Sequence, residues 1–176
     1  MDQQFWIDLL GIIGILCAVL TFQSNRHKHA LLIRTANELS FGVQYFLLGA
    51  YTGMAMDLIG CARNLVFTYQ GQRGKSMRLS RILFALVFSV MGVIFWEGPV
   101  SILVIAAKVI STFAYGTTNM RLMRFLILLT SASWLFYNIF AGSHAGIVCE
   151  GMTIGSILVG MLRYDVGWKG KKDKKC

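Results

Sequence analysis

Apolar stretches about as long as a bilayer is thick recur from one end of this chain to the other, and short segments between them hold most of its charge. The hydrocarbon core of a membrane is about 30 Å thick, which an α-helix crosses in roughly 20 residues. One such stretch can be the core helix of a soluble domain; a series of them cannot. Seven are read here, at about 5–24, 30–50, 54–70, 81–96, 100–116, 122–141 and 145–163. Several turns between them are only a few residues long, among them GAYTG at 49–53, EGP at 97–99 and GSHAG at 142–146. Turns this short make successive helices antiparallel neighbours, with Gly or Pro reversing the chain. Composition agrees, since 56% of the 176 residues are hydrophobic and 14% charged, against about a quarter charged in a soluble domain. The second stretch is the least regular, because Arg34, Asn37 and Glu38 occupy its first half.

The basic residues test the span count independently. They fall between spans one and two (Arg26, Lys28, Arg34), between three and four (Arg73, Lys75, Arg78, Arg81), between five and six (Arg121, Arg124), and in the tail from Arg163. The N-terminus and the alternate turns carry no Lys or Arg. Seven spans put every basic segment on one side, whereas fusing spans four and five would scatter them over both. By the positive-inside rule the N-terminus is then outside and the C-terminus cytoplasmic. The expected organisation is one integral membrane domain over 1–163 and a basic cytoplasmic tail over 164–176.

This pattern accounts for the net charge of +9 without nucleic acid. Basic residues bordering apolar spans orient a membrane protein and meet anionic lipid headgroups, and no aromatic-basic recognition module is present. The partners expected are the lipid bilayer and anionic headgroups at the basic face, with a homo-oligomer left open. The apolar start is not read as a cleavable signal, because basic residues follow the run instead of preceding it. Cys17, Cys61 and Cys149 lie inside spans and Cys176 ends the tail, so no spacing marks a disulfide framework or a zinc site. His27, His29 and His144 read as surface or turn residues. No nucleophile motif such as G-x-S-x-G occurs, so no catalytic residue, metal or cofactor is assigned and the chain is not read as an enzyme.

Shifting the chain by 93 residues aligns span two with span six and span three with span seven. Ser40 falls on Ser133, Phe41 on Trp134, Gly49 on Gly142, Gly53 on Gly146, Asp57 on Glu150, Leu65 on Leu158 and Val66 on Val159. Both turns and both acids match in one register. Three spans, one connecting span and three more give both halves the same orientation, which is a parallel repeat. The fold class expected is therefore an all-α membrane protein. Its seven transmembrane helices form two parallel three-helix repeats, about 5–70 and 100–163, joined by a linker helix at about 81–96 (3+1+3).

The stretches FQSNRHKHALL, FLLGAYTG, WLFYNIFAGSHAG and CEG, followed by a basic tail, resemble the YgjV family of bacterial inner membrane proteins. The resemblance runs to about residue 164 and implies a bacterial inner membrane location. That family is distantly similar to the PQ-loop and SWEET sugar-transporter group, built from three-helix repeats. The proline-glutamine pair of that group is missing: Gln23 follows Phe22, and Pro99, the only proline, lies in a turn. A proline-hinged rocking motion is not expected.

Ionisable groups within spans are costly, about 2.5–3.5 kcal/mol each on insertion scales, and usually face a bundle interior or a water cavity. The chain offers Asp57, Arg63, Lys108 and Glu150. The sharper expectation is that Lys108 faces one or both of Asp57 and Glu150 across a cavity that marks a solute or proton path. The plainer one is structural ion pairing, with Arg63 snorkelling to the cytoplasmic interface. Gln44, Asn64, Trp134 and Asn138 are secondary candidates, although helix-packing hydrogen bonds explain such amides equally well. GMTIG at 151–155 reads as a close helix-packing pattern, and the Gly49/Gly53 and Gly142/Gly146 pairs as turns. Two functions follow: a SWEET-like small-solute transporter or facilitator, or a non-transporting membrane scaffold that binds a partner.

Overall fold

The structure is a computed structural model that describes residues 3–23, 27–117 and 120–162. Seven helices and no strand occur among them: α1 (Gln3–Gln23), α2 (His27–Leu47), α3 (Tyr51–Gln72), α4 (Arg78–Ile94), α5 (Ser101–Tyr115), α6 (Met120–Phe140) and α7 (His144–Gly160). Every end lies within three residues of the span expected from hydropathy and turns. Arg26 and the tail from Arg163, with its expected basic face, lie outside the described residues.

The turns close as the glycines require. Gly49 and Gly142 have φ of 74° and 69°, a left-handed conformation that costs a residue with a Cβ and that ends a helix in a Schellman motif. Both motifs are complete. The Ala50 and Ser143 amides donate to the carbonyls of Tyr45 (2.9 Å) and Asn138 (3.0 Å), and the Gly49 and Gly142 amides to those of Phe46 and Ile139. The following helices start on different caps. The Glu97 carboxylate accepts from the Tyr51 and Thr52 amides (2.7 and 3.1 Å) at the start of α3, and the Ser143 hydroxyl accepts from the Gly146 amide (3.1 Å) at the start of α7.

The second glycine of each pair is not a turn residue. Gly53 and Gly146 lie in the first turn of α3 and α7, where an added Cβ would press on Tyr137 and overlap the Asn138 amide. They permit close helix approach, which corrects the expectation of simple turns. Gly151 and Gly155 show the reverse. A Cβ on either would meet nothing within 4 Å, so the GMTIG pattern seats no neighbouring helix among the described residues.

Helix α1 packs on α2 and α2 on α3; α5 packs on α6 and α6 on α7. The two sets meet where α1 lies on α7 and α3 on α5, with α4 against α3 and α5. Helix α4 sits at the edge, for only its Phe88 and Gly92 are buried. One apolar cluster gathers Phe41, Tyr45, Met56, Phe88, Val104, Trp134 and Tyr137. A second gathers Leu31, Phe67, Tyr115, Ile127 and Ile157.

Polarity is inverted relative to a soluble protein. Leu79 is 75% exposed and Phe140 71%, while Arg63, Lys108 and Glu38 are at most 1% exposed. Water would not leave such apolar faces uncovered, whereas lipid tails are matched to them. By length and mean hydropathy alone, two helical stretches suffice to cross a membrane, Gln3–Thr21 and Arg121–Phe140, with Ser101–Tyr115 and His144–Val159 apolar but shorter. Helices α2 and α3 are long enough, at 21 and 22 residues. Their mean hydropathy is lowered by the charges they turn inward.

Candidate functional site

Helical spacing places the polar residues of four helices on facing stripes. On α3, Asp57, Gly60, Arg63 and Asn64 recur every three or four residues; on α5, Lys108, Ser111 and Thr112 do so. On α2 the stripe runs Arg34, Asn37, Glu38, Phe41 and Tyr45, and on α7 it runs Gly146, Cys149, Glu150 and Thr153.

Glu38 is the hub. Its Oε1 lies 3.1 Å from Arg63 Nη2, 3.2 Å from Lys108 Nζ and 3.4 Å from Arg34 Nε, and its Oε2 accepts from the Asn64 amide at 3.2 Å. Lys108 also pairs with Asp57 at 2.7 Å, and its ammonium lies 5.2 Å from the Trp134 ring centroid, in cation–π range. Arg63 spends all five of its N–H donors. Nε and Nη2 both reach Asn64 Oδ1, Nη2 also reaches Glu38, and Nη1 reaches the Ser111 and Thr112 hydroxyls. Those hydroxyls donate in turn to the Lys108 carbonyl. The Arg63 guanidinium is sandwiched by Phe88 and Tyr115, one ring from each apolar cluster. Arg63 therefore does not snorkel; it is wholly buried, because every donor it carries is satisfied inside the bundle.

Gly60 makes room for this hub. A Cβ there would overlap Glu38 Oε2 and come within 2.9 Å of Lys108 Nζ. Gly60→Ala is expected to lower stability by about 1–3 kcal/mol, as overpacking does, seen as a lower unfolding midpoint of the purified protein in detergent. An unchanged midpoint would mean that the hub has slack.

Beside the network lies a small cavity lined by Arg34, Asn37, Phe41, Tyr45, Asp57, Trp134, Asn138, Gly146, Cys149 and Glu150. Its volume is about 10 Å³, the space of about one water. Tyr45 stacks on Trp134 at 6.0 Å and donates to the Asn138 amide oxygen at 2.5 Å. Glu150, 8% exposed, is held by the Ser131 hydroxyl, but its Oε2 has no hydrogen-bond partner; Arg34, which lines the same cavity, turns its Nε to Glu38 as an ion pair at 3.4 Å.

Four of the eight candidate residues thus line the cavity: Asp57, Trp134, Asn138 and Glu150. Lys108, Arg63 and Asn64 belong to the ion network next to it, with Lys108 on Asp57 and Glu38 and no ion pair to Glu150. Gln44 lies apart, accepting from Ser143 and donating to the Ile7 carbonyl, where it ties α1, α2 and α7 together. Sequence reasoning missed Glu38, Arg34, Asn37 and Tyr45 as site residues, although their three-to-four-residue spacing on α2 was visible.

A sequence profile for a family described as bacterial inner membrane protein, Imp-YgjV, matches residues 5–166. The chain belongs to the YgjV family. The inner membrane protein YgjV of Escherichia coli (strain K12) is 26% identical over 172 residues, covering 96% of this chain and 88% of that protein. No solved structure matches. In a bacterial inner membrane protein the exposed apolar faces have the bilayer as their solvent, and the bundle interior is the place for ionisable groups within spans.

Proposed function

We propose that this YgjV-family chain is a transporter or facilitator of a small polar solute, with seven spans in two parallel three-helix repeats, α1–α3 and α5–α7, joined by α4. The observation that carries this reading is the polar cavity between the two sets of helices, lined from both by charged, amide and aromatic side chains. Sites of this kind form at repeat interfaces, and the similarity to the PQ-loop and SWEET group supplies the transport analogy.

Three relations support the repeat. The packing order is unchanged when α1, α2 and α3 are exchanged with α5, α6 and α7. The two Schellman turns are related by the 93-residue offset. Tyr45 also bonds Asn138, its own counterpart at that offset, and a residue that touches its symmetry mate lies at the axis. On this reading the positive-inside rule has the N-terminus outside, the C-terminus in the cytoplasm and the basic segments facing anionic headgroups.

A second reading, a non-transporting scaffold whose basic face binds a partner, is favoured by one observation. All five Arg63 donors are closed into structural bonds, and the cavity is only water-sized. Uptake of a panel of small solutes into proteoliposomes separates the two. Transport predicts uptake by the wild type and loss of most of it in Glu150→Gln at unchanged protein content. If no solute moves and the substitution only lowers stability, the scaffold reading stands instead.

A further inference from the structure

We infer that Glu150 is an exchangeable-proton site, a buried carboxyl that takes up a proton from the cavity it shares with Arg34 and returns it there. The network holds three acids, and their surroundings divide them sharply. Glu38 faces three cations within 3.4 Å and accepts from Asn64. Asp57 holds the Lys108 ammonium at 2.7 Å. Glu150 has no ion pair within 4.0 Å among the described residues, and one of its oxygens has no partner although it is buried.

Protonating Glu38 or Asp57 would strip a counter-ion from a cation that cannot reach water. Protonating Glu150 breaks no ion pair, and it turns an acceptor that lacks a donor into a hydroxyl that can donate. The cavity supplies the route, since its volume suits about one water. Arg34, whose Nε faces Glu38 Oε1 at 3.4 Å without a hydrogen bond between them, lines the same cavity. A water there can accept from Arg34 and donate to Glu150. The exchange is balanced: a hydronium gives its proton to the Glu150 carboxylate and remains as water, and release is the reverse.

The charged and titratable groups around Glu150 come from several helices. Helix α2 contributes Arg34 and Tyr45, α3 contributes Asp57, and α7 itself Cys149, all on the cavity wall. Helix α5 contributes Lys108, committed to Asp57 and Glu38, and α6 contributes the Ser131 hydroxyl. Helix α1 packs on α7, but its titratable residues, Asp8 and Cys17, are not on that wall. With Arg34, Arg63 and Lys108 against Glu38, Asp57 and Glu150 the ionised cluster is neutral, so a proton on Glu150 leaves one positive charge inside the bundle.

The site does not depend on transport and is read without a solute. Infrared difference spectra of the full chain in lipid, acidic minus alkaline, should show the C=O stretch of an un-ionised carboxyl that grows on acidification and shifts in deuterated water. Glu150→Gln should remove the band, Glu150→Asp should move it, and Asp57→Asn should keep it. Absence of the band, its presence at every pH, or its survival in Glu150→Gln overturns the assignment. Should Glu150→Gln fail to fold, the shift in Glu150→Asp decides the same question.

Discussion

Glu38→Gln is expected to destabilise the bundle by about 3–5 kcal/mol, the range for breaking a buried ion pair from one side. The change is nearly isosteric, so the loss comes from charge. Arg63 and Lys108, 0% and 1% exposed, keep their positive charges while the oxygen that serves both becomes a neutral amide. Lys108 retains Asp57, but Arg63 retains only an amide and two hydroxyls. Arg34 suffers less, because its side chain is 15% exposed. Unfolding in detergent, followed by denaturant titration, gives the magnitude. Replacing Arg63 as well, by Met, should return part of the loss, because a pair replaced on both sides by apolar groups no longer strands a charge. A loss below about 1 kcal/mol, typical of surface pairs, would mean that water reaches the hub.

That Glu38 carries the largest expected effect, and yet escaped the sequence reading, shows where legibility ends. Helices α1 and α6 are visible as plain apolar runs, and α3 and α7 as runs bounded by glycine turns. The turns at Gly49 and Gly142 are visible because only the local backbone decides them. Helix α2 is visible only through its neighbours: its charges lower its hydropathy, and the polar first half reads as an uncertain border when it is the inward stripe of a buried helix. The roles of Gly53, Gly60 and Gly146 are hidden for another reason. Each is set by a side chain on a different helix, Tyr137, Glu38 or Asn138, and no spacing within α3 or α7 encodes that partner. Asp57 and Glu150 were found as a matched pair, but the offset says nothing of their counter-ions. Lys108 corresponds to the apolar Ile15 at that offset, so the symmetry of the acids does not extend to the bases. One acid is paired as a result, and the other is not.

Lys108→Met should cost as much as the loss of Glu38, about 3–5 kcal/mol, and its rescue identifies the reason. The methionine fills most of the lysine's volume and keeps contact with Trp134 and Phe88, which the ammonium now covers at 5.2 and 6.0 Å. Packing is therefore nearly conserved. Asp57, however, loses its partner at 2.7 Å, and the stretch from Glu38 to Asp57 then holds two acids against Arg63 and a mostly buried Arg34. Adding Asp57→Asn should restore more than half of the stability, since the stranded carboxylate becomes a neutral amide on the cavity wall. The coupling energy from the four proteins measures the pair itself. If the double variant is no more stable than Lys108→Met, the ammonium matters for its seat on Trp134 and its bond to Glu38, and Asp57 is solvated through the cavity instead. If it is restored, the same folded protein can be assayed for uptake with the Asp57–Lys108 pair absent. Stability and uptake lost together trace to structure, whereas stability restored without uptake places Asp57 or Lys108 on the solute path.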